Sequence, residues 1–412
     1  MIPDKYKSNH LFLLIGTNPL PNYVAARLLL LSSGFLYLLH TKETKPIAER
    51  LRLSLRRHLS GAEVENFEID STDNVKIRDE VAKILTSRKL GSVSGKVQSV
   101  GLHYTGGTAA MSVHTYAAFE QFFKESLVRV VYSYLDARTL SLRFDGHGGE
   151  LATDYVAGSL CKIELDELAK LHGYGGFKKE LERASSNQFA KKIINALIEI
   201  HSTEEGYLQW REYGQSGYVT LPNVTQCPLL TPFDAVVKSA LGINPEPADV
   251  ARLLARFSQL TSYSKWFNGE WLEDYVLDQI TDLSESMALH SFGKGLQPIR
   301  GERRSGSELF DLDVAAMRGY QLFAISCMVA GVNGKKVKDN YKEHLLEVYV
   351  RARQLGGDEA RIALVGHYQD PALLQQEVEE SWFAEGKIRV FGLPHLEKLK
   401  DHLRDWFKTA NL

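Results

Sequence analysis

The chain has 412 residues, of which 44% are hydrophobic and 24% are charged. These values are ordinary for a folded globular protein, and this length predicts two or three domains that each bury a core. The formal net charge of −2 argues against a protein that coats duplex nucleic acid. A local basic surface is still compatible with that value.

The three cysteines are Cys161, Cys227 and Cys327, and they lie far apart in the sequence. This spacing predicts neither a zinc site nor a disulfide framework, so we expect a reducing, cytoplasmic location. The N-terminus lacks the layout of a signal peptide. The apolar stretch 23–39 is interrupted by Arg27 and by polar residues at 32–34, so we expect no membrane span and no membrane partner.

The first 165 residues alternate between apolar strand patterns and helical patterns. This alternation predicts a doubly wound, mostly parallel sheet with helices on both faces, and residues 139–144 would add an antiparallel edge strand. We predict the strands at 10–15, 35–39, 64–69, 97–102 and 127–132, and the helices at 24–31, 45–59, 73–87 and up to about 124.

Ligands of such sheets bind outside the carboxyl ends of the strands, where loops 16–22, 40–44 and 105–108 are expected. Gly106 and Gly107 allow close approach of the backbone, and the helix that follows offers N–H groups to an anion. The sequence therefore favours a phosphate ligand or, equally, a tight turn that threonines cap. No G-x-G-x-x-G or P-loop pattern follows a strand, which disfavours ordinary dinucleotides and nucleoside triphosphates.

Residues 166–261 show no pattern of chemistry. Helical spacing at 163–171, 189–201 and 248–257, a mixed segment at 207–218 that suggests a hairpin, and five prolines predict a small helical or winged-helix-like connector. Lys191 and Lys192 lie on the polar side of a helix, where a solvated face is a commoner explanation than a nucleic-acid contact.

A strand hairpin is predicted at 310–327, with a turn at Gly319. Asp311 and Asp313 alternate with apolar residues and would share one face of the first strand. Neighbouring buried carboxylates need a proton or a cation, and Mg²⁺ and Mn²⁺ prefer oxygen ligands. A solvated strand face explains the same pattern, so the metal site is one of two hypotheses.

Helices are predicted on both sides of this hairpin. The one at 266–280 carries Glu273 and Asp274, which form either a surface acid pair or part of a metal site. The one at 340–355 ends at two glycines, and its Glu347 and Arg351 have the spacing of an ordinary surface pair. Short strands at 362–365 and 388–391 complete the order helix, hairpin, helix, strand, which resembles the core of the restriction-endonuclease fold.

Specific runs of residues carry a family resemblance. FDLDV, GYQLFAISC and RARQLGGDEAR resemble the nuclease half of the CARF-domain nucleases of type III CRISPR systems, and IGTNPLPN, HTKET, YTGGTAAMSVH and YSYLDARTL resemble their sensor half. The resemblance covers about 10–145 and 266–367. It implies an α/β chain with a Rossmann-like CARF domain at 1–165, a connector at 166–261 and a restriction-endonuclease-like PD-(D/E)xK domain at 262–412.

The resemblance also implies a ligand, which is a cyclic oligoadenylate and most often cyclic tetra-adenylate. The ligand would lie on the two-fold axis of a homodimer. Ala109 stands where the family usually has lysine, so Lys42, Lys45 or Arg138 would supply the missing charge. The residues that would line the site are Gly16, Asn18, Thr41, Thr44, Thr105, Gly106, Gly107 and Thr108.

For the nuclease half, the resemblance implies phosphodiester hydrolysis with Mn²⁺ or Mg²⁺. The metal ligands would be Glu273, Asp311 and Asp313, and the catalytic residues would be Asp313, Glu347, Lys342 and Glu308. Residues 326–328 read Ser-Cys-Met where Glu-x-Lys is expected. Lys342 is the first candidate for the missing lysine, with Lys336 and Lys338 as alternates, and Glu347 is the candidate for the missing acid. Cys327 is a weak candidate nucleophile.

Three functions remain as hypotheses. The leading one is a nuclease that cyclic oligoadenylate activates and that cleaves DNA, with RNA as a second candidate substrate. The second is a non-catalytic sensor whose nuclease site has decayed at 326–328. The third is a ring nuclease that degrades its own ligand.

Overall fold

The computed structural model describes residues 2–90, 99–145, 154–180, 188–255 without 216, 219 and 244, 265–301, 310–332 and 334–411. These residues form two β-sheets with helices packed against them. None of the described helices combines the length and the apolar character that crossing a bilayer requires.

The first sheet has the strand order β3-β2-β1-β4-β5-β6-β7. Its strands are β1 (Ser8–Leu14), β2 (Leu30–His40), β3 (Glu63–Glu68), β4 (Ser99–His103), β5 (Arg129–Asp136), β6 (Ser141–Asp145) and β7 (Asp154–Val156). The helices α1 (Leu20–Leu29), α2 (Lys45–His58), α3 (Asn74–Ser87) and α4 (Ala109–Phe123) follow β1, β2, β3 and β4. The first five strands are parallel, as predicted.

One detail of this sheet was predicted wrongly. Residues 139–144 were expected to form the edge, and β6 does pair antiparallel with β5. However, β7 pairs on its outer side, so β6 lies inside the sheet.

The middle of the chain is mainly helical. It contains α5 (Leu165–Leu171), β8 (Phe177–Glu180), α6 (Gln188–Ile200), α7 (Glu204–Gly214), α8 (Thr231–Leu241) and α9 (Pro247–Ala255). The hairpin suggested at 207–218 is wrong, because Thr203 caps α7 and the helix buries Trp210 and Tyr213 on one side. Residues 188–255, where described, contain no wing strand. β8 pairs with β9 and therefore belongs to the second sheet.

The second sheet has the order β13-β12-β11-β10-β9-β8. It consists of β8 and of β9 (Leu289–Pro298), β10 (Leu312–Arg318), β11 (Gln321–Met328), β12 (Arg361–Gly366) and β13 (Ile388–Phe391). The helices beside it are α10 (Trp271–Leu283), α11 (Lys335–Gly356), α12 (Pro371–Trp382) and α13 (Leu399–Thr409). The predicted hairpin is present as β10 and β11, which are antiparallel and turn at Gly319 with φ of 61°.

Candidate active site and sensor loops

Two carboxylates from different elements, one on α10 and one on β10, interact electrostatically beside the second sheet. Glu273 lies in the first turn of α10, whose residues Trp271 and Leu272 are buried and fix the helix on the sheet. Asp313 lies at the start of β10. The charge of Asp313 raises the pKa of Glu273, so the two predicted acids share one electrostatic environment.

Asp313 is held by the neighbouring strand. Its Oδ2 accepts a hydrogen bond from Ser326 Oγ at 3.0 Å and one from the backbone N–H of Cys327 at 2.7 Å. Burial raises the pKa of Asp313, whereas these two bonds and the nearby His344 favour the charged form. Residues 326 and 327, which lack the expected acid, therefore orient the aspartate.

The surroundings of Glu273 favour its protonated form at neutral pH. Burial, followed by repulsion from Asp313, raises its pKa to about 9, and the positive charge of Lys294 opposes the shift. Two carboxylates in this environment need a cation to be ionised together. Mg²⁺ and Mn²⁺ fit such a pair, because Mg²⁺ is commonly held by one or two carboxylates together with water and phosphate oxygens.

A preformed cage of side chains is absent from the part of the chain that the structure describes. There, no three His, Cys, Asp or Glu residues are grouped closely enough to hold a metal ion. Glu273 and Asp313 would therefore hold the ion together with water and substrate oxygens.

The charge of Asp311, another predicted residue of this site, adds to the effect of burial on the pKa of Asp313. Asp311 precedes β10, is exposed and accepts a hydrogen bond from Gln297 at 3.2 Å. Glu347 is exposed on α11, one turn from His344. Glu308 lies outside the described residues. The roles of these three residues stay predictions.

The lysines proposed for the site have partners elsewhere. Lys342 Nζ lies 2.6 Å from Glu377 Oε2 of α12, and Lys338 Nζ lies 2.9 Å from Oε1 of the same residue. Lys336 is exposed near the start of α11. In this structure the ammonium group of Lys342 is thus engaged with α12 and not with Asp313, and its catalytic role stays a prediction.

The sequence did not predict the lysine that lies beside the acids. Lys294 is buried on β9 and its Nζ lies 2.7 Å from Asp274 Oδ1. Glycines at 293 and 295 weaken the strand pattern there, and a lysine in such a segment is normally exposed. Leu289, Ser291 and Leu296 of β9 are buried as well, and the spacing of buried residues along this strand is irregular.

Cys327 lacks the ionisation of a nucleophile. Burial raises the pKa of its thiol well above the ordinary value, and the nearby carboxylates of Asp313 and Glu273 add to this shift. Because the thiolate is the reactive form, the structure does not support the weak hypothesis of a cysteine nucleophile.

The predicted ligand loops lie at the carboxyl ends of β1, β2 and β4, which are adjacent in the first sheet. A Cβ on Gly16 would lie 2.9 Å from the backbone N of Gly107, and one on Gly106 would lie 1.9 Å from the carbonyl O of Leu14. Gly107 has φ of +77°. Glycine at these positions is therefore required for the first and third loops to touch.

The threonines of these loops fix their shape. Thr105 Oγ1 accepts a hydrogen bond from the N–H of Leu135 at 2.6 Å, and Thr41 N–H donates to Thr44 Oγ1 at 2.9 Å. Thr108 caps α4 by accepting from the N–H of Met111 at 3.1 Å. The turn capped by threonines, which the sequence offered as an alternative to a phosphate site, is thus present. The N-terminus of α4 also lies beside these loops.

Asn18 joins the first of these loops to the C-terminal domain. Its Oδ1 accepts a hydrogen bond from the N–H of Leu20 at 3.0 Å. Its Nδ2 lies against Gly357, the residue that caps α11, so that a Cβ on Gly357 would come within 2.1 Å. The first loop and the helix that carries His344 and Glu347 are therefore in direct contact.

An antiparallel hairpin that carries an acid, beside a helix that carries a second acid, is an arrangement suited to metal-assisted phosphodiester cleavage. Residues 261–410 match the family model of the Card1-like endonuclease domain. The expected resemblance of the C-terminal part of the chain to an endonuclease domain is thereby confirmed over residues 261–410. No curated protein matches the chain significantly.

Solved structures share the fold over nearly the whole chain. Protein VC1899 from Vibrio cholerae is 16% identical, with a TM-score of 0.65 over 98% of this chain and 99% of that one. Can2 from Sulfobacillus thermosulfidooxidans, solved in complex with cyclic tetra-adenylate, is 16% identical, with a TM-score of 0.68 over 99% of each chain. These likenesses confirm the predicted α/β fold class.

Proposed function

We propose that this protein is a metal-dependent nuclease of a type III CRISPR system that cyclic tetra-adenylate activates. The observation that carries the proposal is that the half-buried carboxylates of Glu273 and Asp313 act on each other in a domain that matches the Card1-like endonuclease model. DNA is the proposed substrate, and RNA is the second substrate to test.

The chemistry divides between a bound ion and the chain. Mn²⁺ or Mg²⁺, held by Asp313 and Glu273, would activate water and screen the phosphate charge. Ser326 Oγ–H and the N–H of Cys327 hold the Asp313 carboxylate in place, so that it meets the ion without reorganising. Asp311 and Glu347 are proposed as further acids on the substrate side.

The sensor domain would bind the ligand as a homodimer. The glycines of the first and third loops and the N-terminus of α4 leave a surface where backbone N–H groups can meet phosphates. The solved complex of Can2 with cyclic tetra-adenylate, which shares this fold, supports that ligand class. The two-fold symmetry of a dimer suits a ligand made of repeated nucleotides.

The experiment incubates the protein with plasmid, single-stranded DNA and RNA in Mn²⁺ or Mg²⁺, with and without cyclic tetra-adenylate. We expect cleavage only when both metal and ligand are present, and none from an Asp313→Ala protein that still binds the ligand. Cleavage that does not depend on the ligand would contradict the proposed activation.

A non-catalytic sensor is the second candidate, and Ser326 favours it because a hydroxyl stands where a strand acid is expected. Tight ligand binding with no cleavage under any metal would establish this function. Ligand turnover that survives Asp313→Ala would instead identify a ring nuclease.

A further inference from the structure

Lys294 lies in a position where a lysine is costly. Lys294 is 6% exposed and lies on β9, which is the neighbour of the strand β10 that carries Asp313. The register of β9 and β10 pairs it with Val314, the residue after Asp313. A buried ammonium group is strongly unfavourable unless a partner compensates its charge.

The partner is Asp274 of α10. Lys294 Nζ lies 2.7 Å from Asp274 Oδ1, and both side chains are almost fully buried. The indole N–H of the buried Trp266 donates to Asp274 Oδ2 at 2.6 Å. Asp274 is therefore held by the sheet and by the segment before α10, and these contacts fix the helical turn that also contains Glu273.

A purely structural role explains this pair poorly. Replacing a buried ion pair with apolar residues of similar volume is often neutral or stabilising, so the pair is weak evidence for a gain in stability. What distinguishes this pair is its location, because its positive charge acts on Glu273 and Cys327. The end of β11, at Cys327 and Met328, offers no basic side chain.

We propose that Lys294 is a positioning residue of the nuclease site: through Asp274 it holds the helical turn that carries Glu273, and it supplies positive charge beside that carboxylate. This inference rests on the proposed nuclease function. Lys294 acts on the metal ligands and not on the substrate, so its loss weakens metal binding first.

The test measures Mn²⁺ binding to the full chain directly, from the electron paramagnetic resonance signal of free Mn²⁺, for the wild type, Lys294→Met and Lys294→Arg. We expect Lys294→Met to weaken Mn²⁺ binding by about 10–100-fold, which is typical when a group that orients a metal ligand is lost. Lys294→Arg keeps the charge and should recover part of the affinity.

Lys400→Met is the matched control. Lys400 Nζ lies 2.8 Å from Asp282 Oδ2 near the other end of α10, so this variant also removes a lysine that braces the same helix. It should leave Mn²⁺ binding unchanged. Lys342→Met tests the lysine predicted from the sequence, and a large loss of Mn²⁺ affinity in that variant with none in Lys294→Met would overturn the proposal.

Folding is monitored by thermal melting of each variant. Should Lys294→Met fail to fold, Asp274→Asn provides the same test, because the amide still accepts the Trp266 bond but loses its charge. The proposal is wrong if Lys294→Met, or Asp274→Asn in its place, melts like the wild type and binds Mn²⁺ with wild-type affinity. Cleavage by the wild type is measured in parallel: wild-type Mn²⁺ binding without cleavage refutes the nuclease function and leaves the positioning role to be judged from the binding data alone.

Discussion

The acids of the candidate site differ sharply in how the protein holds them. Asp313 receives two hydrogen bonds from β11, whereas Glu273 is half-buried and carries a raised pKa. Ionising both carboxylates is unfavourable unless a cation is bound between them. This property is expected of residues that bind a metal ion.

Asp313→Asn should lower the rate of metal-dependent cleavage by about 100-fold or more, because the amide lacks the charge that holds the ion. Ser326→Ala removes one of the two bonds to the carboxylate and should slow cleavage by about tenfold. Cleavage assays at saturating ligand measure both effects. Equal losses in the two variants would show that the hydroxyl does more than orient Asp313.

Mn²⁺ binding should tighten as the pH rises from about 6 to 8, by up to about tenfold per pH unit, because the ion must displace the proton of Glu273. The pKa of Glu273 is about 9 in the metal-free protein, which places the proton on the carboxyl group throughout this range. Titrations of Mn²⁺ at several pH values measure the slope. In Glu273→Gln the affinity should be lower and its pH dependence shallower; a slope equal to that of the wild type would assign the proton to another group.

The same shift has a consequence for stability. A carboxyl group whose pKa is raised by folding favours the folded state most at low pH, and this contribution is lost as the pH rises from the unfolded value toward 9. At a pH of about 8 without metal, Glu273→Gln should therefore melt at a temperature equal to or above that of the wild type. A lower melting temperature would mean that the carboxyl group makes a stabilising contact that the amide cannot replace.

At the scale of elements, one helix explains why the lysine of the site was hard to assign. His344 of α11 acts electrostatically on Asp313, whereas Lys342 pairs with Glu377 of α12. Two residues in a helix that are two positions apart differ by about 200° in direction, so they face opposite sides. The sequence places both on α11 but does not say which side meets the sheet.

The loop between β4 and α4 leaves no room for a side chain at Gly106. Gly106→Ala would bring a Cβ within 1.9 Å of the Leu14 carbonyl O and 2.8 Å of Asn22 Nδ2. We expect a destabilisation of about 1–3 kcal/mol and a loss of cyclic tetra-adenylate binding. Denaturant unfolding and calorimetric titration measure the two effects.

Gly386→Ala is the control for this loop. Gly386 has φ of +72°, but no neighbouring atom lies within 4 Å of the position that a Cβ would take. The substitution should therefore cost some backbone strain without affecting the ligand. Normal ligand binding by Gly106→Ala would show that the loop does not form the ligand site.

At the scale of the whole molecule, the two halves share structure and not only a linker. Ile163 N–H donates to the Gly319 carbonyl in the turn of the nuclease hairpin at 3.0 Å. A single buried core contains residues of both sheets, among them Leu13 and Leu322. A change in the sensor loops thus has packed contacts through which it can reach the nuclease domain.

Gly357→Ala tests the contact between Asn18 and α11. The new Cβ would come within 2.1 Å of Asn18 Nδ2, and φ of +64° adds backbone strain. We expect the ligand-stimulated cleavage rate to fall by about tenfold while Mn²⁺ binding stays unchanged, because the acids lie at the other end of the domain. Cleavage rates with and without ligand, at matched folded fractions, measure this coupling. An unaltered ratio would place the coupling elsewhere.

Local pattern was sufficient to predict much of this protein. The alternation of strands and helices predicted the parallel sheet, and the spacing of apolar residues predicted the β10–β11 hairpin and α11. Such features depend on short-range periodicity and turn chemistry, which the sequence records directly. The family resemblance predicted a helix acid, Glu273, and a strand acid, Asp313, for the site, and their roles stay predictions.

Tertiary packing decided what periodicity cannot express. It placed β7 outside β6, made residues 204–214 a helix, turned Lys342 toward Glu377 and brought Lys294 beside Asp274. Each outcome depends on which face of an element meets a partner distant in sequence, and on whether burying a charge is compensated there. The chain's own pattern thus determined the class of fold, whereas long-range contacts determined that Lys294 lies beside Asp274 and that Lys342 pairs with Glu377.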